Sequence, residues 1–264
     1  MQRKVRRLRK QTVWVVGFVV CVFLALSLSL SAQQTAQSEK PTVYTYVAEW
    51  SVPRAQWADM DKNADAERPI LDKLIADGTL VSYGVYTNII HQEGEPTHGS
   101  WFSATSEGNL LKALEAIYAQ PSLVTSPVQG ASKHWDRIFQ STIYNGKPGK
   151  SAGYLTYTRW QLKQGQMRAY NELMKRTLNP VLDKLVADGT ITSYGTDYDD
   201  YHTGPIGVIY EYMTVPDAAS LDKANKVLEE AFSSNPALAS SYRALFETEG
   251  HRDFLTKLKY MVSK

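Results

Sequence analysis

The sequence predicts an α+β protein in which one βαββαβ unit is written twice and the two antiparallel sheets pack face to face. Three observations carry that prediction. Residues 69–84 (PILDKLIADGTLVSYG) recur at 180–195 as PVLDKLVADGTITSYG, with twelve of the sixteen positions identical. Upstream, YTYVAEW (44–50) lies against YLTYTRW (154–160) and pairs Trp50 with Trp160. Downstream, KHWD (133–136) lies against GHRD (250–253). Repeat one therefore spans 43–144 and repeat two 153–264. The Gly/Pro-punctuated segment 145–152 between them reads as a linker, and 33–42 as a flexible stub.

Each copy yields the same order of elements. Val43–Val52 and Gly153–Leu162 alternate around Tyr, Val and Trp, the period of a strand. A long helix follows, with Trp57, Met60, Ala64, Leu71, Leu74 and Ile75 at helical spacing in the first copy. Met167, Tyr170, Met174, Leu178, Leu182 and Leu185 do the same in the second. Asp77-Gly78 and Asp188-Gly189 end these helices, because Gly accepts the left-handed conformation without penalty. Pro69 and Pro180 fall inside the helical pattern and should kink or restart it. Strands are expected at 80–91 and 191–202, then at about 99–105 and 207–214. Leu110, Leu111, Leu114, Ile117 and Tyr118 mark a second helix, and Leu221, Ala224, Val227, Leu228 and Phe232 its partner. Closing strands are expected around 137–144 and 254–262, with one additional helix at 236–248 in the second copy only.

A βαββαβ unit of this length is the ferredoxin-like split motif, an antiparallel sheet with both helices on one face. The bare face must be buried, and a second copy on the same chain is the nearest cover. In this element order and duplication the sequence resembles the dimeric α/β-barrel superfamily. That superfamily includes antibiotic-biosynthesis-type monooxygenases and EthD-like and NIPSNAP-like proteins. The resemblance implies an intramolecular α/β barrel, a pseudo-dimer within one chain. It transfers no catalytic motif, and its members include enzymes, haem proteins and proteins without known activity, so it does not choose a function.

Residues 1–32 read as an address. Six of the 29 basic side chains lie there with none of the 27 acids, followed by an uncharged stretch from Thr12 to Leu30 and small residues at Ser31 and Ala32. This order predicts a secretory signal peptide, the alternative being an uncleaved N-terminal membrane anchor. Either way the body is expected to be exported, periplasmic or secreted. Beyond residue 32 the chain holds 23 basic groups against 27 acidic, a balance that argues against nucleic acid as a partner. Cys21 is the one cysteine, so a body cleaved after it has no disulfide, thiolate metal site or cysteine nucleophile.

The duplication also selects candidate site residues. Directly after the near-identical run, VYTNIIH (85–91) faces TDYDDYH (196–202), and only the histidine agrees. His91 and His202 are therefore the candidate catalytic or ligand groups, the alternative being that each hydrogen-bonds a hairpin carbonyl. His134 and His251 are each followed two residues later by an aspartate, Asp136 and Asp253. On an extended segment that spacing puts both side chains on one face. Together with Trp50 and Trp160 they are candidates for lining ligand pockets. The hairpin 91–98 holds two histidines and two carboxylates, but repeat two matches only the first histidine, so no metal site is expected. No phosphate loop, nucleophile elbow or zinc-protease helix is present.

The expected function is binding of a small, largely apolar molecule between sheet and helices, in two pockets that are not equally competent. Two alternatives stay open. One is a monooxygenase-like enzyme, cofactor-independent or haem-using. The other is a non-catalytic structural or interaction module. No cofactor is indicated by the residues themselves.

Overall fold

The computed structural model describes residues 40–120, 130–201 and 204–264. The expected signal or anchor at 1–32, most of the stub and His202 lie outside the described residues. Repeat one consists of β1 (Val43–Ser51), α1 (Trp57–Ala76), β2 (Ser82–Asn88), β3 (His98–Ala104), α2 (Glu107–Tyr118) and β4 (Lys133–Gly146). Repeat two consists of β5 (Gly149–Gln161), α3 (Met167–Leu173), α4 (Asn179–Ala187), β6 (Ser193–Asp199), β7 (Val208–Val215), α5 (Ala218–Ser233), α6 (Pro236–Ala244) and β8 (Arg252–Ser263).

The eight strands form one closed antiparallel barrel in the order β1-β3-β2-β8-β5-β7-β6-β4. Within each repeat the order is last-first-third-second, as the split motif requires. The free edges then meet: β2 pairs with β8 and β6 with β4. Closure leaves no sheet edge exposed, which is the physical return on duplication. The last strand of each repeat is long enough to run beneath its sibling's helices. Tyr260 and Val262 of β8 pack with Leu71, Leu74 and Leu110 of repeat one, and Ile143 of β4 packs with Leu182 and Leu185 of repeat two.

The expected linker at 145–152 is a correction. β4 runs to Gly146 and β5 starts at Gly149, so the segment consists of the ends of two strands joined by Lys147-Pro148, and those strands do not pair with each other. Barrel closure recruits its backbone into ladders with Ser193 and Ser263, which overrides the Gly/Pro signal. The prolines divide the two copies. α1 continues through Pro69. In repeat two a π-helical turn, Met174–Leu178, precedes α4, which carries Pro180 in its first turn. The repeats are offset by 110 at Trp50/Trp160 but by 111 at Pro69/Pro180, and the π turn absorbs that extra residue.

The same turn closes both long helices. Gly78 and Gly189 have φ of 82° and 81°, and Asp77 and Asp188 each accept the amide of the threonine two residues on, at 2.9 Å. Inside the barrel the duplicated Ser-Tyr-Gly places Gly84 opposite Trp101 and Gly195 opposite Tyr212. A Cβ on Gly84 would lie 2.2 Å from the Trp101 ring, so the glycine is what lets the ring cross the barrel. Tyr86, Leu155, Tyr157, Leu258 and Met261 complete this inner core.

Candidate functional site

Alternation along the strands sends Trp50, Ala48 and Tyr46 of β1 outward beneath the helices and Glu49 inward. Between α1 and the outer face of β1, β2 and β3 lies a cleft. Trp50, Met60, Ala64 and Val85 form its apolar walls, and Asp61, Asn63, Glu67, His98 and Ser100 its polar ones. Its empty space is about 340 Å³ including the mouth open to solvent. Only about 20 Å³ accommodates the centre of a water molecule, room for about one water.

Three features of this cleft are chemically unusual. The Trp50 indole N–H is buried and has no protein hydrogen-bond partner among the described residues. Burial pushes the Glu67 carboxyl up to about 7, so it holds its proton near neutrality. His98, 4% exposed, is pushed down to about 4 by burial, with a smaller contribution from His91 in the same direction and Asp61 opposing. Its imidazole is therefore neutral, with Nδ1 3.0 Å from the Thr97 hydroxyl and the ring edge-on to Trp57.

The histidine–aspartate pairs expected from the sequence come together, and each joins its repeat's tryptophan. His134 stacks on Trp50 with ring centroids 5.1 Å apart and planes 7° from parallel, and its Nε2 lies 3.0 Å from Asp136. The Tyr46 hydroxyl donates to the same carboxylate at 2.5 Å. In repeat two His251 stacks on Trp160 at 4.0 Å and lies 3.2 Å from Asp253, which accepts from Thr158 at 2.7 Å. Strand register explains the coincidence: Trp50 is directly opposite His134 across β1 and β4. These carboxylates are 44% and 69% exposed, so the pairs orient imidazoles at the rim rather than forming a buried dyad.

The two repeats part ways behind the tryptophans. Trp160 Nε1 donates to Glu211 at 3.0 Å, and the hydroxyls of Tyr170 and Tyr242 donate to the same carboxylate at 2.6 and 2.5 Å. Phe246 stacks on Trp160 at 4.6 Å. Desolvation raises the Glu211 pKa, with the three donors opposing. In repeat one, Ser100 stands where β7 carries Glu211, each two residues beyond the residue facing the tryptophan across the sheet. Met60 replaces Tyr170, Glu67 replaces Leu178 and His98 replaces Ile209. Tyr242 and Phe246 come from α6 and the residues just after it, and among the described residues of repeat one no helix corresponds to α6. Among the described residues, repeat two fills the space with its own side chains and repeat one leaves a cleft.

His91 does not enter the cleft lining. It is exposed on the β2–β3 hairpin, its Nε2 2.6 Å from the Asn88 carbonyl and its ring edge-on to Trp57 at 4.9 Å. The hairpin-carbonyl role weighed for it is the one it occupies. His98, assigned by the sequence to the 91–98 hairpin, opens β3 as a buried residue. Among the described residues no group of three or more His, Cys, Asp or Glu side chains could hold a metal ion. The repeat-one cleft itself, whose enclosed part takes about one water, offers no slot for a macrocycle such as haem.

Sequence reasoning missed the polar centre of the barrel. Glu49, 5% exposed, accepts hydrogen bonds from Tyr86 at 2.7 Å and Tyr157 at 3.0 Å and pairs with Arg137 at 2.5 Å. Asp197 is also directed inward, accepts from Ser141, and is raised to about 7 by burial. The available signal was a lone acid at an inward position of an otherwise uncharged strand. Glu67 was missed because its helical position reads as solvent-facing.

The chain matches no protein-family model and no curated protein. Among solved structures it is similar to a Lactobacillus acidophilus protein provisionally assigned as a monooxygenase. That match has a TM-score of 0.65 and 9% identity, over 84% of this chain and 96% of that one. A Fusobacterium nucleatum protein with the same provisional assignment matches at TM-score 0.61 and 9% identity, over 84% and 95%. An anthrone oxidase-like protein matches at 0.52 and 12%, over 85% and 94%. These likenesses establish the fold: the chain is a dimeric α/β barrel built from a single polypeptide.

Proposed function

We propose that this protein is exported and binds one small, largely apolar molecule in the repeat-one cleft, while repeat two serves as a filled structural counterpart. The observation that carries the reading is the contrast between two equivalent tryptophans. Trp160 has its N–H satisfied by Glu211, and Trp50 has its N–H buried with no protein partner among the described residues. A desolvated donor costs stability unless something pairs with it, and a ligand acceptor is what this cleft can admit. Its walls of Trp50, Met60, Ala64 and Val85 favour an apolar body, and its few polar groups would orient one end. Export rests on the basic-then-apolar order of residues 1–32.

Native mass spectrometry of the purified protein tests this reading. A co-purifying small molecule should be present in the wild type and absent from Ala64→Leu, which fills the cleft from α1. The reading fails if nothing co-purifies, benzyl alcohol and indole bind no more tightly than about 1 mM, and Ala64→Leu is simply more stable. That result would favour the structural-module alternative. The monooxygenase-like alternative draws on Glu67, whose buried carboxyl can take up or give a proton near neutral pH. Oxygen uptake with an anthrone-type substrate, lost in Glu67→Gln, would support it.

A further inference from the structure

Repeat two shows what a tryptophan at this position holds when the site is complete. Trp160 Nε1 and the hydroxyls of Tyr170 and Tyr242 converge on a carboxylate, and that carboxylate belongs to the chain itself. In repeat one the tryptophan and its histidine stack are retained, but the carboxylate is shortened to a hydroxyl at Ser100. We propose that the repeat-one cleft binds the carboxyl group of a small organic acid, seated where Glu211 places its own carboxylate in repeat two. This rests on the reading of the cleft as a ligand site and names the chemical class of its occupant.

The donor set matches. Trp50 offers an unpaired N–H, Ser100 a hydroxyl, and Glu67 the proton that burial keeps on its carboxyl near neutrality. A protonated carboxyl beside a carboxylate forms a strong shared-proton hydrogen bond, whereas two ionised carboxylates repel. The titratable groups facing Glu67 are His98 from β3, which is neutral, and Tyr260 from β8, with Asp61 on its own helix. The cations beside these groups are engaged elsewhere, Arg68 over the Tyr260 ring at 4.7 Å and Lys259 with Asp61 at 3.2 Å and Asp65 at 3.1 Å, so the proton on Glu67 decides whether an acid can stay. The enclosed part of the cleft takes about one water, so only the carboxyl enters it, and the apolar remainder lies in the solvent-open part of the about 340 Å³ space, against Trp50, Met60, Ala64 and Val85. Affinity for such an acid should decline as pH rises through 7 and Glu67 ionises.

The test uses indole N–H signals of ¹⁵N-labelled protein at pH 6, titrated with benzoate and with benzyl alcohol. The Trp50 signal is assigned by its loss in Trp50→Phe. Benzoate should move the Trp50 signal and leave the Trp160 signal in place, and benzyl alcohol should bind at least tenfold more weakly. Ser100→Glu should move the Trp50 signal without any ligand and weaken benzoate at least tenfold, because the chain then supplies its own carboxylate. Benzyl alcohol binding as tightly as benzoate at Trp50 overturns the acid assignment but leaves the cleft a ligand site. Neither probe moving Trp50 overturns both. Unchanged benzoate affinity in Ser100→Glu overturns the acid assignment even where Trp50→Phe fails to fold.

Discussion

Replacing each of the two equivalent tryptophans by phenylalanine separates packing from hydrogen bonding in one molecule. Trp160→Phe removes the N–H that meets Glu211 at 3.0 Å. A hydrogen bond to a charged group contributes about 1.5–3 kcal/mol. Loss of ring area against Phe246 and His251 adds about 1 kcal/mol. Trp50→Phe loses a similar ring area against His134 but also removes a buried donor that has no partner. Relief of that desolvated group returns about 1–3 kcal/mol, so the net change should lie between about 0 and 2 kcal/mol of stabilisation. The expected difference between the variants is therefore about 3 kcal/mol or more. In a domain of this size that is roughly 6–12 °C in Tm. Urea and thermal unfolding of ligand-free protein at one pH measure it. A cycle pairing Trp160→Phe with Glu211→Ala should show coupling of about 2 kcal/mol. Equal losses in the two tryptophan variants, to within about 0.5 kcal/mol, would refute the assignment of Trp50 as an unsatisfied donor.

Three further outcomes follow from the same geometry. The Glu67 pKa rises from 4.5 to about 7 on folding, so its contribution is fully present below 4.5 and is lost as pH rises to 7. Glu67→Gln should match wild type at pH 4.5 and exceed it at pH 8 by at most about 3 kcal/mol, read by urea unfolding at both pH values. Gly84→Ala drives a methyl into the Trp101 ring and should destabilise by about 1–3 kcal/mol or more; an unchanged midpoint would mean the ring can move aside. His91→Ala gives up one hydrogen bond to the Asn88 carbonyl and should cost about 1 kcal/mol without altering probe binding; loss of binding would return His91 to the list of site residues.

The architecture was legible because its cause is local and repeated. The run 69–84 and its copy carry a helix end, an Asp-Gly turn and a strand start, and each signal sits in adjacent residues. The Trp–His–Asp rim was legible too, since spacing of two along a strand sets a shared face and the duplicated order paired the strands. The linker expectation failed because Gly and Pro report local bending preference, whereas barrel closure supplies backbone partners from strands far away in sequence. His91 stood out by agreeing with His202, yet a short hairpin needs only a carbonyl cap. Glu67, His98 and Ser100 share no sequence signal, because they meet only where α1 crosses the sheet.

By itself the sequence determined that there are two copies of one unit, which elements each contains and which residues alternate to the outer face. These follow from periodicity and turn chemistry, which act over a few residues. Only the tertiary structure decided that the repeats share their last strands, that Glu49 and Arg137 meet inside the barrel, and that one tryptophan is satisfied while its twin is not. Those outcomes depend on which distant side chains reach one point in space, and Ser100 against Glu211 acquires its meaning only there.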